Sequence, residues 1–426
     1  MQQVSSSSRA SLAAMLASVL VILTFLAVLG GYPADQFPAF ALGLLVVIAF
    51  TVGFAVAGWH LIFRPLPANY KISSTSPLSA AQRQLAGLAL FGSLVFISIG
   101  GIWDEIWHSK YGIQFGLDFF WRPHIMMYAG FLAIIILGVY CWVMILRRGS
   151  GTLQQRFRAD PIVGLVALFG AFMIYALPAD PVWHAIYGED ITPWSIPHVT
   201  IIMIWVTSAV LASGLQMSVL PKRNWGSFLR LRLPDGVVLV SAACVLLTIL
   251  VMFSVLWELY TLNGTDGQEI LGWPVWLYPV FVTFTAGFMG IFANRATRRY
   301  GSATLAGIIA LAIRMLLVYA IDGPLKGGNP WLISLPVLLA IDLGFFVWTQ
   351  FRGREPGVLV MALWTVAGAA LGMLPMMAAR YIFPPINLQT LPEIVIAVMI
   401  AALVANWLVQ PIGNFVASLQ GRAAED

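Results

Sequence analysis

Apolar runs of about 20 residues recur along the whole chain, each ended by charge, glycine or proline. Their approximate extents are 11–31, 38–63, 83–108, 122–147, 160–187, 195–220, 235–260, 272–295, 301–321, 329–352, 355–378 and 392–415. A helix of that length crosses the hydrocarbon core of a bilayer. Alternating in/out patterning is absent, and backbone groups left unpaired in hydrocarbon are costly, so a helical bundle is expected and a β-barrel is not. The pattern predicts an all-α, polytopic transmembrane bundle of about twelve spans, with the ninth and eleventh the weakest. No polar connection exceeds roughly 20 residues, too few for an independent soluble domain.

Composition agrees with this reading. The 426 residues are 60% hydrophobic and only 10% charged, and the mean hydropathy is +0.88, far from the globular range. The polar N-terminal decapeptide MQQVSSSSRA precedes an apolar run without an evident small-residue cleavage site, which suggests a first transmembrane helix and not a removed signal.

Charge sets the orientation. Arg9, Arg64, Lys71, Arg83, the Arg147/Arg148/Arg156/Arg158 group, Lys222/Arg223/Arg230/Arg232, Arg295/Arg298/Arg299, Arg352/Arg354 and Arg422 fall at alternate connections. By the positive-inside rule these connections and both termini are cytoplasmic. The other connections hold only Lys110, Arg122, Lys326 and Arg380, together with Asp118, Glu189, Asp190, Asp266 and Glu269. The net charge of +5 is accounted for by basic loops, so no nucleic-acid partner is expected. Cys141 and Cys244 lie in separate apolar runs, which argues against a disulfide framework or a thiolate metal site.

Against this apolar background two polar junctions stand out. Residues 104–124 read DEIWHSKYGIQFGLDFFWRPH, and residues 180–198 read DPVWHAIYGEDITPWSIPH. Asp104, Trp107, His108, Tyr111, Gly112, Asp118, Trp121, Pro123 and His124 match, in order, Asp180, Trp183, His184, Tyr187, Gly188, Asp190, Trp194, Pro197 and His198. An internal repeat of about 75 residues is the simplest explanation. The expected organisation is an N-terminal transmembrane hairpin (1–82), a duplicated His/Asp region (83–220, with repeats at about 83–147 and 160–220) and a C-terminal six-span region (221–426).

Helix periodicity gives the motif its geometry. Asp104 and His108, and Asp180 and His184, are spaced i, i+4 and share a helix face. Pro123 and Pro197 suit the first turn of the returning helix, which places His124 and His198 at its start. Each hairpin thus offers Asp, His and His from two antiparallel helices, a three-ligand set with room for water or substrate. Four of the five histidines fall in these motifs. A single histidine at a helix end is most often a structural hydrogen-bonder, and a tryptophan beside it an interfacial anchor; the repetition lifts the set above that reading. Asp118 and Asp190 rank lower, as loop aspartates that commonly make turns or caps, and with Trp107, Trp183 and Glu258 they are candidates to surround a metal. His60, in GWHLIF, is read as structural.

At these residues the sequence resembles the membrane-embedded C subunit of particulate methane and ammonia monooxygenases. That family carries D-x-x-W-H, an acidic loop and Pro-x-His opening the next helix. Asp180, His184 and His198 match its ligands, with Trp183 and Asp190 in corresponding places and Pro197 one residue nearer the histidine; Asp104, His108 and His124 match in the same way. The resemblance covers roughly 100 residues and implies copper near the outer face. This chain is longer, carries the motif twice and lacks the N-x-x-x-H helix of that family. A bacterial family of polytopic membrane proteins with doubled W-H…P-H hairpins is an equally good home.

Residues 235–426 contain no histidine. Arg314 in the ninth span and Asp342 in the tenth form a candidate intramembrane pair, more readily helix-to-helix glue than a proton path. Three function classes follow: a metalloprotein with monooxygenase-like redox or hydrolytic chemistry, a secondary transporter or metal-handling protein, and a structural subunit without catalysis. His and carboxylate donors suit copper, zinc or iron, with copper favoured by the resemblance. Whether the chain is an enzyme stays open on sequence. Besides the lipid bilayer, further membrane subunits or an electron donor are the expected partners, and the expected location is a bacterial inner membrane with the motifs at the outer face.

Overall fold

The structure is a computed structural model that describes residues 37–64, 76–111, 120–187, 196–225, 227–228, 232–262, 277–322, 331–379 and 391–422. The first expected span, 11–31, lies outside them. The described residues are helical, with one isolated bridge between Phe228 and Tyr300. In chain order the helices are α1 (Phe37–Gly58, continued by a π turn Trp59–Phe63), α2 (Ala80–Tyr111), α3 (Arg122–Arg148), α4 (Leu153–Ala159), α5 (Pro161–Tyr187), α6 (Ile196–Ser218), α7 (Leu233–Leu262), α8 (Leu277–Thr297), α9 (Ser302–Asp322), α10 (Trp331–Arg352), α11 (Val358–Ala379) and α12 (Leu391–Ser418).

Apart from the short α4, each helix occupies one of the apolar runs. Eight of them, α1, α2, α3, α5, α6, α7, α10 and α12, are long and apolar enough to cross a membrane. The two weakest runs became α9 and α11, whose apolar stretches are the shorter Ser302–Leu317 and Val358–Leu374. Large apolar side chains also lie on the outside: Leu45, Leu85, Ile136, Leu316, Leu363 and Ile396 are each more than half exposed. On a soluble protein such a belt would be an aggregation hazard; around apolar helices it is the lipid-facing surface. The chain is an integral membrane protein built as a helical bundle.

Contacts divide the chain into two compact units, one of residues 1–97, 125–221 and 421–426, the other of residues 98–124 and 222–420. This division is not sequential. Residues 98–124, which carry the first polar junction, group with the C-terminal helices, and the second junction groups with the N-terminal ones.

In the first unit small residues bring helices together. A Cβ on Gly138 of α3 would lie 2.5 Å from the Cα of Gly170 in α5, and the reverse holds equally, so the backbones touch there. Gly87 of α2 meets Leu215 and Gln216 of α6, and the Gln216 amide donates to the Gln84 carbonyl at 2.7 Å. The basic connections are bound to the fold. Arg83, fully buried, contacts Asp160 at 2.9 Å, and Ser76 donates to the same carboxylate oxygen at 2.6 Å. Burial pushes the Asp160 carboxyl above its ordinary range, while the Arg83 guanidinium and the Ser76 hydroxyl pull it back. Thr152 and Gln155 close a reciprocal capping box on α4, and Gln154 donates to the His60 carbonyl at 2.6 Å. The exposed His60 therefore contributes its backbone to this joint.

In the second unit α8 is the hub, packed against α7, α9, α10, α11 and α12. A helix enclosed by neighbours need not be apolar, which explains why α8 carries buried Thr283, Thr285, Asn294 and Arg295 and lacks the hydropathy of the lipid-facing helices. Gly287 meets Thr365 and Ala405, and Gly290 meets Leu338 and Ile341. Arg295 donates to Glu355 at 2.9 Å, to Asn414 at 2.8 Å and to the Pro356 carbonyl at 2.8 Å, running past Gly413, where any Cβ would collide with its stem. Arg223 forms a two-point ion pair with Asp235, at 2.5 and 3.2 Å.

Asp342 has a different partner from the one expected. Its carboxylate accepts from the backbone N–H of Gly301 at 2.8 Å and of Thr304 at 2.7 Å, and from the Thr304 hydroxyl at 2.6 Å, capping the N-terminus of α9. Arg314 is ten residues, about 15 Å, further along that helix, beyond the reach of an arginine side chain. The Arg314–Asp342 pair is therefore corrected: a free helix end is the nearer and stronger attraction for a carboxylate in a low-dielectric interior.

Candidate metal centre at two Asp–His hairpins

Both hairpins are built alike. Helices α2 and α5 are described as far as Tyr111 and Tyr187, and α3 and α6 carry Pro123 and Pro197 in their first described turns. Proline near a helix start loses nothing, because its missing N–H is among those without an intrahelical acceptor. Its fixed φ then sets the first turn, so His124 and His198 are carried on the first turns of α3 and α6 and directed at the preceding helices.

The aspartates meet these histidines through equivalent atoms. His124 Nε2 lies 3.2 Å from Asp104 Oδ1, and His198 Nε2 lies 3.7 Å from Asp180 Oδ1. The side chains are largely withdrawn from solvent, the most accessible being His198 at 25%. Two donors bound about 2.1 Å from one ion, at angles of about 90–110°, sit roughly 3.0–3.4 Å apart. The first pair is already at that separation and the second is slightly wider.

Surroundings differ between the two hairpins. Trp107 and Trp121 pack at 4.9 Å between ring centres beside Asp104, and Trp103 joins Trp121 at 6.5 Å. At the second hairpin Ala179 precedes the aspartate where Trp103 precedes it at the first, and Trp183 is buried. Helix α5 also carries Pro178 and Pro181 on either side of Asp180, removing two donors from the backbone ladder. Reading the repeat alone overlooked Trp103; its place directly before the aspartate was the available signal.

The remaining residues are placed less completely. His108 and His184 lie on α2 and α5, one turn beyond their aspartates, but their side chains fall outside the described residues, as does the side chain of Glu258 on α7. Asp118 and Asp190 lie outside the described residues altogether. Among the described residues no group of three or more His, Cys, Asp or Glu side chains gathers around one point. The described donors of each hairpin are thus one carboxylate and one imidazole, a pair that suits copper, zinc or iron and needs a third ligand to hold it. The Asp104–His124 pair belongs to the second unit and the Asp180–His198 pair to the first. No protein-family model, curated protein or solved structure matches this chain.

Proposed function

We propose that this integral membrane protein binds metal at its two hairpins, through Asp104, His108 and His124 in one and Asp180, His184 and His198 in the other. The observation that carries this reading is the repetition of one geometry: the same two atoms, Asp Oδ1 and His Nε2, approach within 3.2 and 3.7 Å in two segments that carry the same motif residues in the same order. A lone aspartate–histidine contact orients an imidazole; a duplicated one, with a further histidine one helical turn away in both copies, is better suited to holding an ion. Copper is the favoured metal through the resemblance to the monooxygenase C subunit, with zinc and iron as alternatives of the same donor class.

Bound copper would supply redox chemistry toward oxygen or a small apolar substrate entering from the bilayer. The protein's part is to hold each imidazole against its carboxylate, keep water out with the Trp103, Trp107 and Trp121 rings, and leave a coordination position open. The Lys/Arg distribution supports about twelve spans, both termini in the cytoplasm and the hairpins at the outer face of a bacterial inner membrane. Electrons for a redox reaction would come from a partner subunit or donor.

Metal content of the detergent-purified chain, measured by mass spectrometry after loading with copper, zinc or iron, tests the proposal. About two ions per chain are expected, with one lost in each of the His124→Ala and His198→Ala variants. Loss of both from either variant identifies a single shared centre, and a chain that takes up none of the three metals rules the proposal out.

A further inference from the structure

The second unit holds a polar cavity that has no part in the hairpins. It measures about 410 Å³, within the range of ligand-binding pockets. The α8–α9 turn, the α10–α11 turn and the segment after α6 form its wall, which includes Asn224, Arg298, Gln350, Arg354 and Glu355. By the Lys/Arg distribution this is the cytoplasmic end of the unit.

The charges around it do not balance. Glu355 is the one carboxylate in the wall, and its oxygens already accept from Arg295 and from the Trp225 indole, both at 2.9 Å. Arg298 forms a longer ion pair with the same carboxylate at 3.7 Å and donates to the Arg223 carbonyl at 2.7 Å, while its Nε is buried without a hydrogen-bond partner. Arg354 is exposed at the rim. Three guanidinium groups, those of Arg295, Arg298 and Arg354, therefore stand against one carboxylate, which leaves the cavity net positive.

The backbone at Arg298 points the same way. Its φ is +53°, the left-handed region, and the other positive-φ residues among those described, Gly151, Gly301, Gly353 and Gly421, are all glycines. A side chain there costs about 1 kcal/mol relative to glycine. Helix α8 would end as well on glycine; the Arg298 guanidinium is held at this turn, at the edge of the cavity, by the Arg223 carbonyl and Glu355. Beside the cavity, Phe228 (66% exposed) and Phe351 (83% exposed) present apolar rings outward, and Phe228 packs on Tyr300 of the wall.

We propose that this cavity binds the phosphate headgroup of an anionic membrane lipid, with Arg298 and Arg354 on the phosphate, Asn224 and Gln350 on the polar group esterified to it, and Phe228 and Phe351 beside the acyl chains. Basic pockets between transmembrane helices on the cytoplasmic side suit such headgroups, and that leaflet supplies them. A soluble phosphate would satisfy the arginines but leave the aromatic lip unused.

Native mass spectrometry and thermal unfolding of the delipidated full chain in mild detergent test this, with phosphatidylglycerol, phosphatidylcholine of the same acyl chains, and inorganic phosphate as probes. Phosphatidylglycerol is expected to be retained about tenfold more tightly than phosphatidylcholine, and Arg298→Gly and Arg354→Gln are each expected to remove most of that preference, since a charge-assisted contact is worth about a factor of ten or more. Arg298→Gly relieves the left-handed backbone but gives up the Arg223 carbonyl and Glu355 contacts, so its unfolding temperature without lipid is measured beside that of Arg354→Gln, an exposed position whose change should leave folding intact and so separates lost binding from lost folding. Arg147→Gln, an exposed basic residue of the other unit, should leave the preference intact. The proposal is overturned by equal retention of the two lipids, by a preference that survives in the Arg298/Arg354 double variant, by an equal fall in Arg147→Gln, or by inorganic phosphate stabilising the chain as well as phosphatidylglycerol does.

Discussion

At the scale of single residues, ionisable groups are kept in this chain where another group compensates them. Arg83 and Asp160 show the rule in the first unit, both buried and 2.9 Å apart. Removing one member of a buried pair strands the other, so Arg83→Met should lower stability by about 3 kcal/mol near neutral pH, read as a drop in unfolding temperature in detergent. The sign of its pH dependence follows from burial, which already holds the Asp160 carboxyl above its ordinary range. Without Arg83 that shift grows. A raised carboxyl favours folding below its unfolded pKa and loses that contribution as pH rises through the folded value. The variant should therefore recover toward native stability in acid and weaken as pH rises; a pH-independent defect would mean that Arg83 acts by packing alone. Asp342 follows the same rule with a helix end as its partner, and Asp342→Asn, which keeps an acceptor but removes the charge, should cost about 1 kcal/mol.

At the scale of elements, helix ends and helix crossings carry the specificity. In both hairpins the returning helix carries its proline in the first turn, directly before the histidine that meets the aspartate. Crossings depend on small residues: Gly138 and Gly170 allow α3 and α5 to touch. Gly138→Val forces the helices apart, and a loss of about 1–3 kcal/mol is expected from overpacking, seen as a lower unfolding temperature. Gly92→Ala, on a face where an added Cβ meets nothing within 4 Å, is the control and should be neutral or slightly stabilising.

At the scale of the whole molecule, the arrangement of basic loops makes a topological prediction. Cysteine introduced at Thr152 should react with a membrane-impermeant maleimide only from the cytoplasmic side, and cysteine at Phe120 only from the outer side; both positions are exposed, whereas native Cys141 and Cys244 are buried. Labelling of both from one side would refute the assigned orientation of the hairpins. The long helices and the membrane class were legible in the sequence because hydropathy over about 20 residues is a local property. So were the paired hairpins, since a repeat and an i, i+4 spacing need no knowledge of other helices. What surrounds a helix is not local. Hydropathy could not place α8 at the centre of its unit, because enclosure by α7, α9, α10, α11 and α12 is what permits its polar residues. The loop arginines read alike as marks of topology, yet tertiary contacts separated buried Arg223 and Arg295, held by Asp235 and Glu355, from Arg298 and Arg354 at an open cavity. Asp342 was assigned to Arg314 by neighbouring spans, and only the placement of the α9 N-terminus decided otherwise. The chain alone thus determined where the long apolar helices lie, to within several residues at their ends, and which polar groups recur; which charge meets which depends on helix packing, because a Coulombic partner is chosen by distance in space and not by separation in sequence.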